Sequence, residues 1–315
     1  MRIVVLDAAT LGDDLSVEPL ATLGDLSLYR NTSVESVAAR VQNAEVIVAN
    51  KVRLNEKTVG AAPRLRLICV TATGYDNVDV AWCRSRGIAV CNVEDYSSAS
   101  VAQITMAQVL ALSSHLRDYT EYVRSGGYTA GGVDNRLTPV YHELDGCTWG
   151  ILGLGHIGRR VARCAQALGC RVVAYCRHED AEYPCLPLWE LLSQSDVVSI
   201  HLPLTDGTRH LIGENELSRM KAGAILVNMG RGAILDEGAV AAAIESGRLG
   251  GFGTDVYDGE PLNRTSPLYR LREHPRVCMT PHMAWGSCEA RRRCLAEVME
   301  NIRAFTRGER RCRVD

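Results

Sequence analysis

Three short motifs, each behind an apolar β-like run, carry side chains able to do anion and acid–base chemistry. Asn228-Met229-Gly230-Arg231-Gly232 presents an arginine, and Asp255-Val256-Tyr257-Asp258-Gly259-Glu260-Pro261 presents a glutamate. Pro281-His282-Met283-Ala284-Trp285 presents a histidine. A guanidinium can grip a carboxylate with two parallel donors. An imidazole can give or take a proton near neutral pH, and a carboxylate beside it favours the protonated ring and fixes its orientation. Arg231, Glu260 and His282 are therefore the candidate catalytic set. They suit binding a small acid and moving a proton beside it.

A second kind of site precedes them. Gly153-Leu154-Gly155-His156-Ile157-Gly158 fits G-x-G-x-x-G, follows the apolar run Gly150-Ile151-Leu152 and opens a helical pattern. That context makes it a dinucleotide loop: Gly153 for the tight turn, Gly155 for close approach to a pyrophosphate, Gly158 for helix–strand packing. The following strand, 171–175, should end in the residue that reads the adenosine ribose. An acid there selects NAD. This chain has Cys176-Arg177-His178 instead, with Glu179 and Asp180 further on. Two cations and no acid lean toward NADP; the alternative is NAD with Arg177 stacked on the adenine.

These residues need a scaffold, and the pattern around them supplies one. Strands are expected at 2–7, 45–49, 67–71 and 89–92, with helices at 34–41, 55–61 and 80–86. A second alternating series places strands at 149–152, 171–175, 197–201, 224–228, 251–256 and 277–280. Its helices fall at 157–167, 187–193, 214–220 and 237–245. Such alternation means parallel βαβ packing, and all three chemical motifs then lie at strand C-termini, the edge where open α/β sheets bind ligands. Residues 96–116 carry no formal charge, but their many hydroxyls and amides suit a helix buried in protein, crossing between domains, better than one facing lipid. The last helix, 287–305, sets apolar residues 295, 298, 302 and 305 on one face, so it can return to the N-terminal sheet. The expected organisation is a discontinuous substrate domain, 1–95 with 286–315, around a nucleotide-binding domain, 96–285.

Composition excludes several alternatives. At 315 residues, 46% apolar and 23% charged, the chain is an ordinary globular protein of about two domains. Its net charge of −2 gives no bulk field for nucleic acid. The segment 287–315 holds a modest arginine excess that reads as a solvated helix face. The 12 cysteines include no C-x-x-C, so no zinc ribbon or redox pair is expected, no metal site is assigned, and a chain of free thiols in the cytoplasm is expected. Ile3-Val4-Val5-Leu6 is too short for a signal-peptide core.

The whole set of motifs resembles the D-isomer-specific 2-hydroxyacid dehydrogenases. It adds Thr71-Ala72-Thr73-Gly74-Tyr75-Asp76-Asn77-Val78-Asp79 and His201-Leu202-Pro203-Leu204-Thr205 to those above. Tyr96, Ser100-Val101-Ala102-Gln103 and His282-Met283-Ala284-Trp285 are most similar to glycerate dehydrogenase/hydroxypyruvate reductase members. The resemblance implies a Rossmann domain plus a flavodoxin-like domain with the active site in a closing cleft. It implies hydride transfer between NAD(P)H and a small 2-oxo acid, with Arg231 holding the carboxylate, His282 as proton donor and Glu260 as its partner. Asn50, Lys51, Ala72, Thr73, Gly74 and Trp285 would contact substrate. For the cofactor, Thr73, Gly153, Gly155, His156, Ile157, Gly158, Cys176, Arg177, Leu202, Met229, Gly230, Arg231, Asp255 and His282 are implied. Cys176 departs from the family's usual acid. A homodimer is implied, with 126–146 reaching across. The alternatives are a phosphoglycerate or other D-2-hydroxyacid dehydrogenase, or a non-catalytic dinucleotide-sensing protein. An intact Arg–Glu–His set favours the enzyme.

Overall fold

Short β-branched runs become parallel strands throughout the computed structural model, which describes residues 1–315. The first elements are β1 (Arg2–Val5), β2 (Asp25–Leu28), α1 (Val34–Val41), β3 (Val46–Ala49), α2 (Glu56–Val59), β4 (Leu67–Val70), α3 (Val80–Ser85) and β5 (Ala89–Cys91). Then come α4 (Ser98–Ser113), α5 (Leu116–Arg124), α6 (Gly127–Ala130), β6 (Thr148–Leu152), α7 (His156–Ala167) and β7 (Arg171–Tyr175). The remainder are α8 (Leu188–Gln194), β8 (Val197–Ile200), α9 (Glu214–Arg219), β9 (Ala224–Asn228), α10 (Glu237–Glu245), β10 (Leu249–Thr254), β11 (Val277–Met279) and α11 (Cys288–Thr306). The chain divides into two compact units, Met1–Ser97 with Trp285–Asp315, and Ser98–Ala284.

In the first unit five parallel strands run in the order β2-β1-β3-β4-β5, the flavodoxin-like arrangement. Strand periodicity sends Ile3, Val5, Val46 and Val48 to one face, where they meet Ala290, Cys294, Val298 and Ile302 of α11. Val4, Ile47 and Ile68 point the other way, onto Val37, Val41 and Val59 of α1 and α2. Both faces are covered, which is why these strands read as unbroken apolar runs. Asp79 accepts from the Trp82 amide and Ser287 from the Ala290 amide, capping α3 and α11. β2 lies outside the strands that the pattern predicts. It is a half-buried edge strand of Asp25-Leu26-Ser27-Leu28, paired on β1, and lacks the β-branched run that marks its neighbours.

In the second unit six parallel strands run β11-β10-β9-β8-β6-β7. Beyond β7, the Ala174 amide donates to Pro184 O (2.9 Å) and the Leu186 amide to Ala174 O (2.8 Å). Pro184–Leu186 thereby stands in the next strand position, and the doubly wound order is complete on both sides of β6. The uncharged stretch is α4, buried through Val101, Thr105, Gln108 and Val109 and packed on α7, β9 and β10. It stops at Ser113. His115 is left-handed (φ 50°), and a separate amphipathic helix, α5, follows.

One expectation is corrected outright. Cys176 and Cys185 form a disulfide, with Cα atoms 5.9 Å apart, so the chain does not consist only of free thiols. Their spacing of nine residues carried no signal. Proximity comes from the parallel pairing of Ala174 with Cys185, a tertiary fact. The other ten cysteines are free.

Candidate active site

Register brings the three chemical motifs to one level. Asn228 of β9 pairs with Thr254 of β10, which pairs with Met279 of β11. The loops leaving those residues carry Arg231, Glu260 and His282 from one edge of the second unit's sheet. His282 Nδ1 lies 2.6 Å from Glu260 Oε2, a charge-assisted distance, and both side chains are partly open to solvent. The second Glu260 oxygen accepts from the Tyr257 amide at 3.3 Å, which fixes the carboxylate plane. With Nδ1 taken by Glu260, Nε2 is the ring nitrogen left to exchange a proton with a reactant.

His282 sits in the left-handed region (φ 52°), a conformation its surroundings must impose. Asp255 imposes it. This carboxylate, 3% exposed, accepts from Thr280 Oγ1 (2.7 Å), the Met283 amide (2.9 Å) and the Ala284 amide (2.8 Å). It therefore holds the loop on both sides of His282. Gln108 of α4 donates to Thr280 Oγ1 at 3.1 Å, continuing the chain of support into the helix. Tyr257 O–H donates to Thr280 O at 2.8 Å, and burial pushes its phenol far above the usual range. The sequence does not advertise Gln108 or Thr280, because a polar residue in an apolar helix and a threonine ending a strand have ordinary structural uses.

Arg231 stands in a tightly braced turn. Asn228 Oδ1 accepts from the Gly230 amide (3.0 Å), and Asn228 Nδ2 donates to Arg231 O (2.9 Å). The following Gly232 is required by packing. A Cβ there would lie 1.9 Å from Tyr257 C and 2.2 Å from Asp258 N, so the arginine loop rests directly on the glutamate loop. Glu237 braces the same place, accepting from the Asp258 amide at 2.8 Å and from Ser266 O–H.

The glycine loop fits a dinucleotide. Gly153 has φ 97°, and a Cβ at Gly158 would fall 2.1 Å from Gly153 O, so only glycines let α7 start this close to β6. Nothing lies within 4 Å of a Cβ built on Gly155, and no side chain caps α7. Uncapped amides at a helix start, beside open space, suit a pyrophosphate. Leu202 and Met229 follow β8 and β9 on this edge. His201 meets Ser199 Oγ at 3.0 Å, and burial pushes its imidazole down to about 3. At the ribose end, Cys176 is bridged, and Asp180 bonds Arg159, which holds its carboxyl below the usual range. Asp180 is thereby taken by α7, while Arg177 and His178 are exposed.

The remaining expected residues belong to the first unit. The Asp7 carboxylate accepts from the amides of Asn50 (2.9 Å), Lys51 (2.6 Å) and Val52 (3.2 Å), and burial raises its pKa against those bonds. Asp7 thus shapes the Asn50-Lys51 loop, a role that a lone acid ending β1 does not advertise. Thr73 Oγ1 donates to Val93 O (2.9 Å), Asn92 Nδ2 donates to Thr73 O (2.8 Å), and the Val93 amide donates to Ala72 O (3.0 Å). These bonds hold the Ala72-Thr73-Gly74 turn. Trp285 packs edge-on to Tyr96, ring centroids 6.2 Å apart, at the border of the first core.

Comparison with known proteins agrees with this geometry. Residues 106–284 match the family model described as D-isomer specific 2-hydroxyacid dehydrogenase, NAD binding domain. The hydroxypyruvate reductase of Blautia hydrogenotrophica is 33% identical over 98% of each chain. The glyoxylate reductase of Aeropyrum pernix is 37% identical over 89% of this chain and 85% of the relative. A crystal structure of D-lactate dehydrogenase from Aquifex aeolicus, complexed with NAD and lactic acid, aligns with a TM-score of 0.86 at 29% identity. That alignment covers 98% of this chain and 96% of the other.

Proposed function

The chain belongs to the D-isomer-specific 2-hydroxyacid dehydrogenase family, and from that premise we propose that it reduces glyoxylate and hydroxypyruvate to their 2-hydroxy acids. A nicotinamide dinucleotide, when bound, supplies the hydride. The observation that carries the reading is the 2.6 Å His282–Glu260 pair on the same strand edge as Arg231. Arg231 anchors the substrate carboxylate and polarises the neighbouring carbonyl. His282 Nε2–H protonates the oxygen that hydride addition leaves negative, and Glu260 stabilises the imidazolium until then. In the oxidative direction the same nitrogen takes the proton back.

Gly153, Gly155, His156, Ile157 and Gly158 hold the pyrophosphate in this reading, with Leu202, Met229 and Gly230 along the ribose and nicotinamide. Asp255 has accepted three donors of the roughly four that a carboxylate can take. It retains room for a carboxamide N–H. The backbone of Asn50, Lys51, Ala72, Thr73 and Gly74, and the Trp285 ring, are proposed substrate contacts. NADPH is the proposed preference because Arg177 and His178 are exposed at the ribose position, while Asp180 is occupied by Arg159. We also read the protein as a cytoplasmic homodimer. Leu116, Val123, Val133, Leu137, Val140 and Tyr141 are exposed along α5 and the segment after it, an apolar surface that a second copy would cover. The ten free cysteines favour a reducing compartment.

The test is kcat/KM for glyoxylate, hydroxypyruvate, pyruvate and 3-phosphohydroxypyruvate, with NADH and with NADPH. The first two substrates should lead. A lead by the phosphorylated acid would replace the substrate reading, and sedimentation as a monomer would end the dimer.

A further inference from the structure

We infer that the Cys176–Cys185 disulfide is a cofactor-selecting clamp, which when closed presents Arg177 and His178 to the 2′-phosphate of NADPH and when opened by a thiol reductant releases them. The inference rests on the reading that these two cations face the adenosine ribose.

Cys176 follows Tyr175, the last residue of β7, which is where a dinucleotide fold places the residue that reads the ribose. Cys185 stands beside Ala174 in the neighbouring strand position. The bridge thus closes a ring over residues 177–184 at the C-terminal edge of the sheet. The rest of that ring is already committed. Asp180 bonds Arg159 and accepts from the amides of Glu182 (3.0 Å) and Tyr183 (3.1 Å). Tyr183 is 1% exposed, and its hydroxyl meets Gln166 Oε1 at 3.1 Å. These contacts pin the far half of the ring to α7 whether or not the bridge is present. The near half, residues 177–179, is exposed, and its second tether is the bridge. Opening the bridge therefore frees Arg177 and His178 while the fold around them keeps its hydrogen bonds. A cation whose position is fixed in advance binds phosphate more tightly than one that must be ordered first.

Both cysteines are partly exposed, so a small thiol can reach them. A thiolate of a dithiol reductant attacks one sulfur, the Sγ–Sγ bond breaks, and its electron pair leaves on the other. The reductant's second thiol then displaces the mixed disulfide. Two electrons and two protons pass to the protein, which ends with two thiols, and the reductant ends as its disulfide. A low-molecular-weight disulfide such as oxidised glutathione runs the exchange backwards.

The test measures dissociation constants for NADPH and NADH by nicotinamide fluorescence on the full chain, after oxidised glutathione and after dithiothreitol, with peptide mapping of the bridge. Reduction should weaken NADPH about 3–10-fold and NADH by less than about twofold. Cys185→Ser should sit at the reduced value and ignore dithiothreitol, and Arg177→Ala should weaken NADPH in both states and remove the redox response. If Arg177→Ala weakens NADPH but wild type binds it equally in both states, the clamp is refuted and the cofactor reading stands. If Arg177→Ala leaves NADPH binding unchanged, the cofactor reading itself fails and the clamp falls with it. A dithiothreitol response that persists in Cys185→Ser, or two free thiols at 176 and 185 after oxidised glutathione, also overturns the clamp.

Discussion

Replacing Asp255 by Asn should separate loop positioning from the proton transfer it serves. The carboxylate is 3% exposed and accepts three donors, two on one oxygen and one on the other. In Asp255→Asn one oxygen still accepts from Thr280 and Met283. The new amide then faces the Ala284 N–H, donor against donor. One charge-assisted bond is lost, worth about 1.5–3 kcal/mol, and a buried N–H is left unpaired at a further cost of about 1 kcal/mol or more. His282 meanwhile holds a left-handed backbone that itself costs roughly 1–2 kcal/mol. The restraint lost, about 2.5–4 kcal/mol, exceeds the strain it was holding against, so the loop should relax. If the whole loss falls on the transition state, kcat drops roughly 70- to 900-fold, since each 1.36 kcal/mol is tenfold. The assay is kcat for glyoxylate at saturating cofactor, together with Tm and the cofactor dissociation constant. A kcat within threefold of wild type at unchanged Tm would refute the claim that Asp255 positions His282.

Three further outcomes follow from the same geometry. Arg231→Lys keeps the charge but loses the two-pronged grip, so KM for the 2-oxo acid should rise roughly 10–100-fold with a smaller fall in kcat; an unchanged KM would remove Arg231 as the anchor. Gly232→Ala drives a Cβ into the Tyr257–Asp258 peptide, which should cost about 2–3 kcal/mol and roughly 4–12 °C in Tm; a variant as stable as wild type would show that the two loops can part. His201 is held neutral in the fold, with its pKa pushed down to about 3, whereas the unfolded chain takes up that proton near 6.5. Its contribution to stability is therefore lost progressively as pH falls from about 6.5 toward 3, and His201→Gln should lose less Tm between pH 7 and 4.5 than wild type. Equal losses would contradict this.

Much of this architecture is readable from residue pattern because parallel strands buried on both faces must be apolar throughout. Val46-Ile47-Val48-Ala49 and Ala224-Ile225-Leu226-Val227 announce themselves as buried strands. The chemical residues are legible for a related reason. Arg231, Glu260 and His282 lie in short motifs directly after such strands, so parallel pairing alone brings them to one edge. What stayed hidden depends on tertiary proximity. β2 is a half-buried edge without the β-branched signal. Cys176 and Cys185 meet only because residue 185 lies alongside Ala174. Asp7, Gln108 and Thr280 are single polar residues whose partners lie far along the chain, and spacing cannot reveal them.

The central claim is that His282, held by Glu260, is the proton donor for reduction of a carbonyl whose carboxylate Arg231 anchors. Steady-state turnover of His282→Ala with glyoxylate and hydroxypyruvate, alongside NADH and NADPH binding by fluorescence titration, tests it most directly. Turnover should fall about 10²–10⁴-fold, the usual worth of general acid catalysis, while cofactor affinity stays within about threefold because the pyrophosphate loop is untouched. Near-normal turnover with cofactor bound would contradict the account and leave the His282–Glu260 pair as structure rather than chemistry.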